Sequence, residues 1–155
     1  MVKELRLFWK NYVFQSLLAT LVIFIVLLSL SMRDDAAIIA SIGATTFIVF
    51  TMPDYITAKP RNVIGGHLVG LACGSLGALV PHHSLVTAAS LCALAVGLSI
   101  FIMVVTDTEH APAAGTALGV AIKGFSLNVT IAVLASAVIL SLIRRLAKHR
   151  LKDLT

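Results

Sequence analysis

Two short segments gather the side chains best suited to hold an anion: Lys59-Pro60-Arg61-Asn62 and His110-Ala111-Pro112. Each lies immediately before an apolar run that reads as a helix. A helix start presents unpaired N–H groups and the positive end of the backbone dipole, both favourable to negative charge. Lys59, Arg61, Asn62, His67, His110 and Lys123 would surround two such starts with converging positive potential. Asp54, Asp107 and Glu109 stand among them, either as ion-pair partners that hold the cations or, with His110, as carriers of protons. A plainer reading exists for most of these residues. Lys59 and Arg61 suit a topology signal whose side chains reach lipid headgroups, and His67 and His110 suit buried structural hydrogen bonds. Lys123 resists that reading, because a cation in an apolar, small-faced segment must pair or face water.

The elements that position these residues are apolar. The chain has 155 residues, 59% hydrophobic and 12% charged, with a mean hydropathy of +1.01, far from the composition of soluble domains. Lipid must therefore solvate most of its surface. A spanning helix needs about 20 residues, so the chain holds five or six crossings and no separate soluble domain. The expected fold is an all-α membrane protein forming one domain over residues 1–155. It comprises five full transmembrane helices, at about 13–30, 36–52, 63–80, 85–105 and 127–143, plus one short spanning or re-entrant helix at 113–122.

The first run is almost wholly Leu, Ile, Val and Phe, ends at Met32-Arg33-Asp34-Asp35, and should face lipid, with Trp9 and Tyr12 at the interface. Ser41, Gly43, Ala44, Thr45 and Thr46 place the second run inside the bundle. Gly66, Gly70 and Gly74 recur at four-residue spacing in the third, as do Ala111, Gly115, Gly119 and Lys123 in the short one; such stripes let helix backbones approach closely. Pro81-His82-His83 makes a short turn. An apolar helix, a polar junction, a proline and a glycine-faced helix occur in that order around 58–70 and again around 110–119, with the same expected direction, as in a parallel repeat.

Several classes are excluded. Cys73 and Cys92 lie within apolar runs without metal-ligand spacing, so no metal or cofactor is expected. The formal charge of +5 is concentrated in Lys3, Arg6 and Lys10 and in Arg144, Arg145, Lys148, Arg150 and Lys152, without interleaved aromatics, which fits anionic lipid and not nucleic acid. The first apolar run is too long for a cleavable signal peptide. The Asn128-Val129-Thr130 sequon stands at a span entrance and is set aside. There is no HExxH, GxSxG or paired-carboxylate arrangement, so an enzyme is not expected.

At these residues the sequence resembles the HPP family of bacterial and plastid membrane proteins, named for a His-Pro-Pro motif. Pro60-Arg61-Asn62-Val63-Ile64-Gly65-Gly66-His67-Leu68 is similar to the family's PRN-x-x-GGH segment, with Gly43-Ala44 in the place of its GSFGA-type stretch, and the run from His110 to Leu118 is similar to its HPPAGATAL run. Ala111 replaces the first Pro, and Ala114-Gly115 inverts the usual order. The family is usually described with four helices, and its plastid and cyanobacterial members are implicated in nitrite transport. The resemblance implies a small inorganic anion, nitrite foremost, as ligand of Lys59, Arg61, Asn62, His67, His110, Thr116 and Lys123. Gly66, Gly70, Gly74, Gly115 and Gly119 would then pack the helices around it. The expected setting is the bacterial inner membrane, as a homo-oligomer, since so few short helices enclose little interior. The competing expectation is a structural or regulatory membrane protein that packs with partner helices and transports nothing.

Both basic termini should be cytoplasmic by the positive-inside rule, and with six crossings Lys59 and Arg61 fall on that side too. A cysteine placed at Thr57 is expected to react with a membrane-impermeant maleimide from the cytoplasmic side, and one placed at His83 from the outside. Labelling of Thr57→Cys from outside alone would reverse this topology.

Overall fold

Helices form over the apolar runs and extend past them into charged flanks. The computed structural model describes residues 2–29, 36–81 and 84–155, with side chains from Leu7 onward in the first segment. Among these residues it contains α1 (Val2–Ser29), α2 (Ala36–Thr51), a 3₁₀ turn (Ile56–Ala58), α3 (Pro60–Ala78), α4 (Leu85–Val105), α5 (Ala111–Lys123) and α6 (Leu127–Ala147). The Met32-Arg33-Asp34-Asp35 exit and His82-His83 lie outside the described residues. The helix α1 starts about three turns before the expected 13, and α6 runs a turn beyond 143. Lys, Arg, Glu and Leu are good helix formers, and Arg144 and Arg145 in the last turn of α6 suit the negative end of its dipole. Pro60 is the first residue of α3 and Pro112 the second of α5, within the first turn where a missing N–H costs nothing.

Among the described residues, length and composition mark three helices, α1 over Leu7–Leu28, α4 and α6, as able to cross a bilayer, short of the five full spans expected. The shortfall has a physical cause. Helix α2 has only 16 residues, and α3 exchanges aliphatic side chains for glycines, Arg61, Asn62 and His67.

Hydrogen bonds fix which helix ends meet. Gln15 of α1 donates to the carbonyls of Phe50 and Lys152 and accepts from the Lys152 N–H. Tyr12 donates to the Leu154 carbonyl, and the Leu154 N–H donates to the Thr51 carbonyl at 2.8 Å. The Arg144 guanidinium, buried at the end of α6, donates through Nε and Nη2 to the Pro53 carbonyl. The N-terminal half of α1, the end of α2, the start of α3, the end of α6 and the C-terminal segment therefore share one end of the bundle. The end of α4 joins them, because Arg61 meets Asp107.

Helix α5 enters from that same end and runs parallel to α3. A Cβ on Gly66 would lie 2.7 Å from the His110 Cβ, one on Gly70 would collide with the Ala113 carbonyl oxygen, one on Gly74 would lie 2.6 Å from the Ala117 carbonyl oxygen, and one on Gly77 would approach Ala121. The contacts advance together along both helices, so α5 passes through the bundle instead of turning back. Its opposite face meets α2: a Cβ on Gly119 would lie 2.8 Å from Ile38 Cδ1, and one on Gly115 would touch Ser41. The pair α3 and α5 forms the most extensive helix contact of the molecule.

Because backbone and not a flexible side chain fills the space at Gly70, even Gly70→Ala is expected to force α3 and α5 apart, costing about 1–3 kcal/mol as overpacking does, and Gly70→Leu to prevent the native bundle. Thermal unfolding in detergent checks this; a Gly70→Leu protein that melts like the wild type would place this face outside the helix contact.

Candidate functional site

The close approach of α3 to α5, with α2 laid across them, brings five polar side chains together. Ser41, Thr45, His67, His110 and Thr116 each expose between 0 and 4% of their surface. The Thr45 hydroxyl sits between two imidazoles, 3.0 Å from His67 Nε2 and 2.9 Å from His110 Nε2. The rings meet edge to face with centroids 5.2 Å apart. Beyond His67, Nδ1 lies 2.9 Å from the Thr116 hydroxyl, which lies 2.9 Å from the Ser41 hydroxyl; Ser41 in turn donates to the Pro112 carbonyl. Beyond His110, Nδ1 lies 2.8 Å from the Thr57 carbonyl. A carbonyl only accepts, so that nitrogen carries a proton.

Local sequence explains each placement. Ser41 and Thr45 are four residues apart and lie on one face of α2. His67 stands two turns into α3, next to Gly66, whose missing side chain makes room for His110. His110 is the extended residue immediately before α5, with φ −148° and ψ 96°, and Thr116 follows within the helix.

A second, more exposed cluster surrounds the starts of α3 and α5. Arg61 donates to Asp107 at 3.1 Å and to the Thr106 carbonyl at 2.8 Å. Both charged partners are about two-thirds exposed (63% and 65%), so the pair contributes little stability by itself; its effect is to tie the α4–α5 junction to α3. Asp107 reaches that position through a left-handed backbone (φ 57°) that ends α4, with Thr108 N–H bonding back to the Met103 carbonyl at 2.9 Å and Asp107 N–H to Val104 at 3.3 Å. Asn62, buried, donates to the Glu109 carbonyl at 3.2 Å and lies 3.5 Å from its carboxylate. Lys59, which precedes α3, is exposed.

Of the residues singled out from the sequence, His67, His110 and Thr116 come into direct contact through this network. Arg61, Asn62 and Lys59 gather around the starts of α3 and α5 beside it, and Lys123 joins neither group. It sits exposed in the last turn of α5, about 20 Å along the helix from His110 at 1.5 Å per residue. That is the negative end of the dipole, where a cation is stabilised without a buried partner. In the sequence, Ser41 and Thr45 stand out only as packing residues. The signal for more is two hydroxyls four residues apart on one face of a mostly apolar helix, which in lipid must satisfy themselves or a neighbour.

The family model described as HPP, transmembrane region, matches residues 5–152. A transmembrane protein of Dictyostelium discoideum is 37% identical over 81 residues, covering 52% of this chain and 28% of that protein. A second transmembrane protein of the same organism is 31% identical over 86 residues, covering 56% of this chain and 28% of that protein. The chain thus spans under a third of the length of either relative. No solved structure matches.

Thr45 holds both imidazoles, so Thr45→Val, which keeps the shape and removes the hydroxyl, strands two buried nitrogens. Loss of about 1–3 kcal/mol is expected, with Thr45→Ser recovering most of it, as measured by thermal unfolding in detergent. Wild-type stability in Thr45→Val would mean that the network does not bind these helices together.

Proposed function

The chain belongs to the HPP transmembrane family, and from that premise we propose that it moves a small inorganic anion, nitrite foremost, across the membrane in which it sits. The observation that carries this reading is the burial of two imidazoles and three hydroxyls together where three apolar helices meet. Polar and ionisable groups at membrane depth are expensive and mark substrate or proton paths. Here they lie just below the starts of α3 and α5, whose N–H groups favour negative charge.

In this reading Lys59, Arg61 and Asn62 attract the anion to the mouth, while His67, His110 and Thr116, with Thr45, receive it by hydrogen bonding. Lys123 supplies positive potential at the opposite end of α5. The glycine stripes let α3 and α5 open and reclose around the ion without side-chain interlock. The protein acts as a homo-oligomer with both termini on the cytoplasmic face, in the inner membrane of a bacterium.

A second reading has its own support. Every ring nitrogen of the two histidines has a partner, as in a cluster that only pins helices together, which is the role of a structural membrane protein.

Flux of nitrite, nitrate and chloride into proteoliposomes, normalised to correctly inserted protein, separates the two. Transport requires that Arg61→Gln and His67→Ala each lower normalised nitrite flux by roughly tenfold or more, the worth of one charge-assisted or buried hydrogen bond. Arg61→Lys restores only part, because it keeps the charge and loses the planar fork that meets two oxygens. Absence of flux for every anion, or wild-type normalised flux in both variants, overturns the transport reading in favour of the structural one.

A further inference from the structure

The buried hydrogen-bond chain ends in an acceptor on both sides. Read in order it runs Thr57 carbonyl, His110, Thr45, His67, Thr116, Ser41, Pro112 carbonyl, which makes six links. Each link needs one proton. The three hydroxyls supply one each and two neutral imidazoles one each, so five protons serve six links. The Thr45 hydroxyl is also placed to donate to the Ser41 main-chain carbonyl at 3.0 Å; that carbonyl already accepts in the α2 ladder, so the Thr45 proton is counted as turned toward an imidazole, and any share given to the carbonyl leaves the six links shorter of protons still. With both imidazoles neutral, one link somewhere sets lone pair against lone pair in a place sealed from solvent, and an unmet buried polar contact is costly.

We propose that this chain is a binding site for a single proton, shared between His67 and His110 across the Thr45 hydroxyl. One added proton fills all six links in either of two arrangements. In the first, the His110 imidazolium donates to the Thr57 carbonyl and to Thr45, Thr45 donates to His67 Nε2, and His67 Nδ1 donates onward through Thr116 and Ser41 to the Pro112 carbonyl. In the second, the His110 Nε2 proton has passed to the Thr45 oxygen while the proton of Thr45 has passed to His67 Nε2. No bond is left open, the charge has moved from one ring to the other, and Thr45 has turned its hydroxyl to face His110. A second proton has no link to fill and places two cations in rings 5.2 Å apart, so the site takes one.

The surrounding ionisable groups are few. Helix α2 carries none, α4 only Cys92, and α5 only Lys123 at its far end. Helix α3 adds Cys73 and Arg61, the latter paired with Asp107. Glu109 adjoins His110 with its carboxylate toward Asn62, exposed Asp54 and Tyr55 precede the turn that carries Thr57, Lys59 precedes α3, and Arg144 and Arg145 end α6. These are the side chains to which the proposed function gives the anion, but the proton count rests on the hydrogen bonds alone and its test needs no transport.

The decisive variants keep both histidines. Removing the Ser41 or the Thr116 hydroxyl deletes one proton and two links, which leaves four links and four protons: a chain whose remaining links are all filled with neutral rings. In full-length protein carrying ¹⁵N-labelled histidine in lipid vesicles, pH titration of the assigned His67 and His110 signals should show both rings changing together, with one proton taken up in all. In Ser41→Ala and Thr116→Val the proton affinity should fall roughly tenfold or more, whereas Thr116→Ser, which keeps the hydroxyl, should titrate like the wild type. Equal midpoints in the wild type and both hydroxyl-deleted variants, separate protonation of each ring, or rings that stay neutral throughout would each overturn the proposal.

Discussion

Everything polar inside this bundle depends on the contact between the backbones of α3 and α5. Gly66, Gly70 and Gly74 present bare backbone to the residues from His110 to Val120, and no side chain of any size fits between them. In lipid there is no hydrophobic gain from bringing two apolar helices together, so association rests on van der Waals contact and hydrogen bonds, both of which require short distances. The glycine stripe supplies that closeness. It also sets the register, because His110 fits only where Gly66 leaves room and Thr116 then falls opposite His67.

Helix α2 converts that pair into a three-way junction. Its hydroxyl face meets both partners, Thr45 reaching His67 and His110 and Ser41 reaching Thr116 and Pro112. The rest of α2 is apolar or small, with Ile38, Ile42, Val49 and Phe50 buried in two clusters against α1, α3, α5 and α6. A hydroxyl bonded on both sides is directional in a way that leucine packing is not, so the network specifies which way α2 faces. The charge question follows from the same geometry: a chain of hydrogen bonds that begins and ends on carbonyls is incomplete until a proton is added.

Among the described residues, side-chain bonds gather at one end of the bundle. Arg144 on the Pro53 carbonyl, Gln15 on Phe50 and Lys152, Tyr12 on Leu154 and Arg61 on Asp107 all lie where the termini meet the α2–α3 and α4–α5 junctions. The basic tail is therefore part of the fold as well as a charge: Leu151 is buried and Lys152 lies 4.0 Å from the centre of the Phe8 ring. The main-chain bonds Gln15 makes in the apolar surroundings of α1 illustrate how a lone amide in lipid is drawn to backbone that lacks a helical partner.

Residue chemistry along the chain determined a good deal by itself. Hydropathy marked the apolar helices, because nothing but lipid can solvate them. Prolines and polar junctions marked where α3 and α5 begin, since proline suits only a first turn, and glycine spacing marked the faces that pack, since period and size are written in one dimension. His67 and His110 were identifiable as residues that must be satisfied or used. Partner choice, by contrast, was decided in three dimensions. Thr45 became a ligand of both histidines, and Ser41 a ligand of Thr116, only when α2 was laid across α3 and α5, because a hydroxyl in an apolar helix can bond its own preceding carbonyl or a neighbour with little to distinguish the two in sequence. Lys123 shares the spacing of the small residues but stands at the end of α5, where the helix stops and its side chain reaches outward. Periodicity assigns a residue to a face, whereas helix length and the neighbouring elements decide whether that face is buried at that level.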